Sequence, residues 1–158
     1  MTFGSNELRE LARKYRALVA LRARRDAGGA AGGGKVREEL RELAREFPGC
    51  LRELDTLGAA ELARRAQAVE EAAGGGEGEE WMGWIWHYHR LMRAALAIRR
   101  GEREDGEADP AFAAEVLAPP AGRIGIVVLR RLAATHGRTA KEIAAALFPV
   151  RRPSPYEL

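Results

Sequence analysis

Residues 81–100 read WMGWIWHYHRLMRAALAIRR, and they hold all three tryptophans of the chain, two of its three histidines and a central tyrosine. At about 100° per residue, Trp81, Trp84, Ile85, Tyr88, Leu91, Met92, Ala95 and Leu96 fall on one broad stripe, the mark of an amphipathic helix buried along one side. At about 25 cal/mol per Å², burying two tryptophans and a tyrosine contributes several kcal/mol, so this helix is expected to lie against the core. Trp86 falls on the other side, near Arg90 and Arg93, and is expected to face outward.

Helical periodicity continues in both directions from this segment. Upstream, Gly74-Gly75-Gly76 closes a predicted helix over 58–73 that presents Leu62, Ala66 and Val69. Before it, a helix over 36–46 offers Val36, Leu40 and Leu43. That helix is stopped by Phe47-Pro48-Gly49, ahead of a short turn with Cys50, Leu51 and Leu54. The first helix, over 6–26 with Ser5 or Asn6 as its cap, carries an apolar stripe from Leu8 through Leu11, Ala12, Tyr15, Leu18 and Val19. Arg9, Arg13, Arg16 and Arg24 lie on its opposite face. Downstream of Gly101, an acidic stretch leads to Asp109-Pro110, which reads as a cap and first helical position for a short helix to Leu117. Residues 118–122 (APPAG) force a bend. IGIVVL at 124–129 is strand-like alone, but its continuation as LRRLAATHG favours a buried helix over 123–135. Thr139-Ala140-Lys141-Glu142 is a capping-box pattern opening a last helix through Phe148. There is no internal repeat and no second strand. The expected fold is all-α: a compact, irregular bundle of six to eight helices in a single domain over 1–148, with a mobile basic tail at 149–158.

At 158 residues and 46% hydrophobic composition, the chain is long enough for one domain with a real core. No window approaches the roughly 18–20 apolar residues of a membrane span, and the first ten residues lack a signal-peptide core. One cysteine, Cys50, excludes an internal disulfide. These features together predict a cytoplasmic protein with no membrane partner. The net charge of +3 is too small for a strong nucleic-acid field. Its distribution is uneven, at about +4 over 1–27, about +4 over 110–158 and −4 over 102–109, with an acidic stretch at 35–80. Of the 26 basic residues only Lys14, Lys35 and Lys141 are lysines. Solvated arginine faces are the plain reading of the rest.

Several patterns invite a chemical reading. Residues 29–35 (GAAGGGK) formally match the phosphate-cradling GxxxxGK loop. Position 36 is valine rather than a magnesium-holding hydroxyl residue, and a helix rather than a strand precedes the loop, so it reads as a linker. His87 and His89 lie about 160° apart on a regular helix and cannot jointly hold a metal as an i, i+4 pair can. A site would need one of them plus distant ligands such as His136 or Glu80. With Trp84, they are the candidate lining of a pocket. Ser5 and Ser154, the only serines, sit near the two ends, and Cys50 reads as an inert thiol. Neither a catalytic residue nor a cofactor-binding or metal-binding set is assigned.

Residues 128–147, VLRRLAATHGRTAKEIAAAL, resemble the opening two helices of a helix-turn-helix or winged-helix DNA-binding domain. The resemblance covers about 20 of 158 residues. It implies a third, base-reading helix of about ten residues after Leu147. Instead Pro149, Pro153 and Pro155 follow, which forbid that helix.

Three roles from different classes therefore stand as expectations. The first is a non-catalytic interaction module that binds a protein partner, or a second copy as a homodimer, through Trp86, Arg90, Arg93, Arg99 and Arg100. The second is a nucleic-acid-associated protein with Arg130, Arg131, Arg151 and Arg152 on phosphates. The third is a small enzyme or ligand binder with a pocket at Trp84, His87 and His89.

Overall fold

The computed structural model describes residues 4–28, 33–102, 110–118 and 123–149. Among them are eight helices and no strand: α1 (Ser5–Ala27), α2 (Gly33–Glu46), α3 (Cys50–Thr56), α4 (Ala59–Ala73), α5 (Glu80–Arg99), α6 (Pro110–Leu117), α7 (Ile124–His136) and α8 (Ala140–Leu147). The chain is an all-α helical bundle, as the periodicity predicts. No helix among the described residues is long and apolar enough to cross a membrane. Arg151 and Arg152, and with them the tail expected to be mobile, lie outside the described residues.

Local chemistry sets the helix ends. Thr139 caps α8, its hydroxyl oxygen accepting from the Glu142 amide at 3.1 Å, as the capping-box pattern requires. Gly137, at φ 64°, closes α7 in the left-handed region and donates its amide to Ala133 O. At α1 the cap is Gly4, with no side-chain capping bond, so Ser5 and Asn6 enter the helix instead of capping it. Gly33 and Gly34 also join α2, so the glycine linker is shorter than its composition suggests.

One contiguous core joins all eight helices. Leu11, Tyr15 and Leu18 of α1 meet Leu62 and Val69 of α4, the most extensive helix pairing in the molecule. Met82 and Ile85 of α5, Val128 and Leu132 of α7, and Ile143 and Leu147 of α8 complete the interior. Three arginines expected on solvated faces serve as caps on helix C-terminal carbonyls. Arg22 donates to Leu54 O and Leu57 O at the end of α3 (2.8 and 3.0 Å), Arg99 to Val116 O in α6 (3.1 Å), and Arg65 to Ala146 O and Leu147 O in α8 (2.7 and 3.2 Å).

The aromatic helix departs from its expected phasing in one respect. Trp81, Trp84, Ile85, Tyr88 and Ala95 are buried, while Leu91, Met92 and Leu96 are partly so. Trp86 is half-buried and packed against the core instead of turned out. The reason is topological. α5 touches α2, α6, α7 and α8, so helices cover more of its circumference than a one-sided stripe allows for.

Candidate functional site

Three arrangements of polar side chains stand out, and they differ in accessibility. The first is sealed. Lys14 and Tyr15 of α1, Glu53 of α3, Arg65 of α4 and His89 of α5 meet in the interior, each at 2% exposure or less. His89 Nδ1 lies 2.9 Å from Pro48 O. A carbonyl oxygen only accepts, so Nδ1 carries the proton and Nε2 is left as an acceptor. Lys14 Nζ donates to that Nε2 at 2.7 Å, to Tyr15 Oη at 3.3 Å and to Glu53 Oε1, which satisfies all three ammonium protons. Glu53 Oε2 accepts from the Tyr15 hydroxyl at 2.5 Å and from Arg65 Nη1 at 3.2 Å. One carboxylate thus serves two buried cations. Arg65 is further neutralised by the α8 carbonyls it caps, and its guanidinium stacks 4.8 Å over the Trp81 ring.

Burial governs the titration of this cluster. It pushes Tyr15 well above its ordinary range and pulls Lys14 down. His89 lies well below its usual value, because burial disfavours the imidazolium and the Lys14 charge adds repulsion. Burial also raises the neighbouring Cys50 thiol to about 11, so this fully buried cysteine is no nucleophile at neutral pH.

A pH dependence follows from His89. Below its unfolded value of about 6.5 the unfolded chain takes up a proton that folded His89 refuses. Stability present above that pH is therefore lost as pH falls, by up to about 1.4 kcal/mol per pH unit for one group. Urea midpoints measured between pH 7.5 and 5.5 in buffer free of divalent metal are expected to fall. His89→Gln, whose amide nitrogen can donate to Pro48 O and whose oxygen can accept from Lys14, is expected to reduce that slope, leaving the share of His87 and His136, which burial also lowers. An unchanged slope in the variant would assign it to other groups.

The second arrangement is accessible. His87 of α5 and His136, the last residue of α7, are both half-buried, and His87 Nδ1 stands 3.1 Å from His136 Nε2. Burial lowers both histidines from their ordinary value; at His87 repulsion from His136 and Arg90 adds to it, while Glu80 partly offsets it at His136. Trp84 lies beside His136, with ring centroids 6.4 Å apart. Trp84 and His87 therefore do come together, with His136 as their partner. His89 is not part of this group: its two nitrogens are engaged in the sealed cluster. No group of three or more His, Cys, Asp or Glu among the described residues is arranged to hold a metal ion.

The third arrangement is a cleft of about 590 Å³ between α6 and α7, bordered by Arg99 at the end of α5. Val116, Ile124, Ile126 and Val127 give it an aliphatic lining, and Arg99, Arg123, Arg130 and Arg131 surround it, with Glu115 as the one acidic group lining it among the described residues. Ile126 of this lining is 43% exposed, and Leu117, which does not line the cleft but stands between the lining residues Val116 and Ala118, is 60% exposed. The packing of α5 on α7 thus brings together Arg99, expected on the tryptophan face, and Arg130 and Arg131, expected as phosphate contacts. Arg90 and Arg93 on α5, and Arg100 just past its end, are exposed and do not line the cleft. A second groove of about 360 Å³, between α1 and α2, differs in charge. There Arg13 pairs with Glu46 at 2.5 Å and Arg24 pairs with Glu39, while Glu42 adds negative charge.

No protein-family model, curated protein or solved structure matches this chain.

The sealed cluster was missed by sequence reasoning, although a signal for it exists. Lys14 sits three residues after Leu11 and four before Leu18, within the apolar stripe of α1. Arg65 sits three after Leu62 and four before Val69 on α4. A charged residue in register with a buried stripe needs a buried counter-charge.

Proposed function

We propose that this chain is a non-catalytic binding module whose α6–α7 cleft holds an acidic segment of a protein partner, with the partner's apolar side chains on Ile126 and Leu117. The observation that carries this reading is charge complementarity: four guanidinium groups and one carboxylate line an aliphatic concavity. Arginine at the rim of an apolar patch is the composition of interface hot spots, and exposed large aliphatics beside it add area that association would bury. The aliphatic lining favours a peptide over a nucleic-acid strand. Single-stranded nucleic acid draws its affinity from aromatic platforms as well as charge, and the cleft lining contains no aromatic residue among those described.

The test compares two labelled probes by fluorescence anisotropy, a Glu/Leu-rich helical peptide and an oligothymidylate. The peptide is expected to bind the wild-type chain. Ile126→Glu and the double charge reversal Arg130→Glu/Arg131→Glu should each weaken it at least about tenfold, equivalent to about 1.4 kcal/mol. Oligothymidylate binding that exceeds the peptide's and falls steeply between 50 and 200 mM salt, by roughly a thousandfold or more where several phosphates are contacted, would transfer the cleft to a nucleic acid. Sedimentation of the wild-type chain as a dimer that Ile126→Glu dissociates would make a second copy the partner.

A further inference from the structure

We propose that His87 and His136 form a binding site for one divalent transition-metal ion of the zinc, nickel or copper class, with Glu80 as the carboxylate ligand that the ion draws in. The distance between the two imidazole nitrogens carries the argument. Histidine binds such ions at about 2.0–2.1 Å, so two nitrogens 3.1 Å apart fit one ion with a nitrogen–metal–nitrogen angle of roughly 100°. That angle lies between square and tetrahedral geometry, and to reach it both rings must turn off the nitrogen–nitrogen line so that their lone pairs converge on the ion. Protons balance simply. In the contact as it stands, one imidazole donates to the other; shifting that proton to the far nitrogen of its own ring frees both lone pairs, with no net uptake or release.

The pair is also well placed. The two rings come from separate helices held by the core, so their separation is set by the packing of α5 on α7, and both are exposed enough for an ion to enter. Glu80 lies two turns before His87 on the same face of α5. At present it pairs with Arg138 at 3.0 Å, two residues beyond His136. This pair is on the surface, where opening it costs little. Soft-to-borderline imidazole ligands with one carboxylate suit zinc, copper or nickel better than calcium or magnesium, which take oxygen sets.

Calorimetric titration of the untagged chain with zinc chloride, repeated with nickel and copper(II) chloride, tests the site. Saturation near one equivalent is expected, and His87→Gln and His136→Gln should each weaken binding at least about tenfold. Both histidines are half-exposed, and a circular-dichroism spectrum will verify that each variant is folded. Copper(II) should quench tryptophan fluorescence, and Trp84→Phe should remove most of that quenching, because Trp84 lies against His136. Arg138→Gln, which releases Glu80, should tighten binding several-fold, and Glu80→Gln should weaken it. If no saturable equivalent appears, or if binding survives both histidine substitutions, there is no site and the contact is a plain hydrogen bond. If Glu80→Gln leaves affinity unchanged, the carboxylate is excluded as a ligand.

Discussion

Replacing Glu53 with alanine is expected to remove about 3–5 kcal/mol of folding stability, more than replacing either cation it serves. The asymmetry follows from the wiring of the sealed cluster. Glu53 gives one oxygen to Lys14 and the other to Tyr15 and Arg65, so its loss strands two positive charges and a hydroxyl in the interior. Loss of the Lys14 ammonium through Lys14→Met is less severe: Glu53 keeps Arg65 and Tyr15, and the main casualty is the acceptor at His89 Nε2. Arg65→Met should lie between the two, since it also uncaps the end of α8. Urea denaturation gives the order directly as shifts in midpoint at constant slope. Should Lys14→Met cost as much as Glu53→Ala, the carboxylate is not the hub, and the ammonium carries the cluster. A chain in which Lys14, Glu53 and His89 are all replaced by apolar residues of similar volume is expected to recover part of the loss, because desolvating charge is itself expensive.

This cluster also marks where sequence reasoning stops. Seven of the eight helices are legible because each carries its own 3.6-residue apolar period and its own stop signals; α3, at Cys50–Thr56, is too short for a period and reads only as a turn. Gly137 past α7 and Thr139 before α8 work locally, whatever the rest of the chain does. Contacts between helices are set by how stripes dock, and the periodicity of one helix is silent on that. Trp86 illustrates the difference: a helical wheel assigns it to the outer side, but α5 touches four helices, so Trp86 is half-buried against the core while Arg90 and Arg93 stay exposed. The spacing offers His89 as a pocket-lining residue with Trp84 and His87, yet it is buried and Pro48 O of the Phe47-Pro48-Gly49 turn supplies the carbonyl it needs. In the same way, nothing in the spacing of Arg99, Arg130 and Arg131 says that they share one cleft, because α5 and α7 are separated by α6 and two linkers. The pairing of His87 with His136, and the nearness of Glu80 through Arg138, also arises only from that packing. Residue types were legible; their assembly was not.

The turn over His89 leads to the second large effect, at Gly49, where alanine is expected to cost about 2–4 kcal/mol. Two separate penalties combine there. Gly49 has φ 98°, in the left-handed region, where a Cβ costs about 1–2 kcal/mol by contact with its own backbone. The added methyl would also lie 2.8 Å from Tyr88 Cε1 and 3.4 Å from Phe148 Cζ. Those rings are buried and stacked edge to face at 5.2 Å, so neither can swing away freely, and overpacking of this kind costs about 1–3 kcal/mol. Gly137→Ala isolates the first penalty. It too has positive φ, at 64°, but its Cβ would meet nothing within 4 Å, so about 1 kcal/mol is expected. The difference between the two variants therefore measures the packing under the turn. That packing matters beyond stability, because the turn sets where Pro48 O meets His89 and where α3 begins, three residues before Glu53. Displacing it should loosen the sealed cluster as a unit, and Gly49→Ala combined with Lys14→Met should cost less than the sum of the two alone. Equal losses for Gly49→Ala and Gly137→Ala would mean that Tyr88 yields without cost and that the turn does not hold the cluster in place.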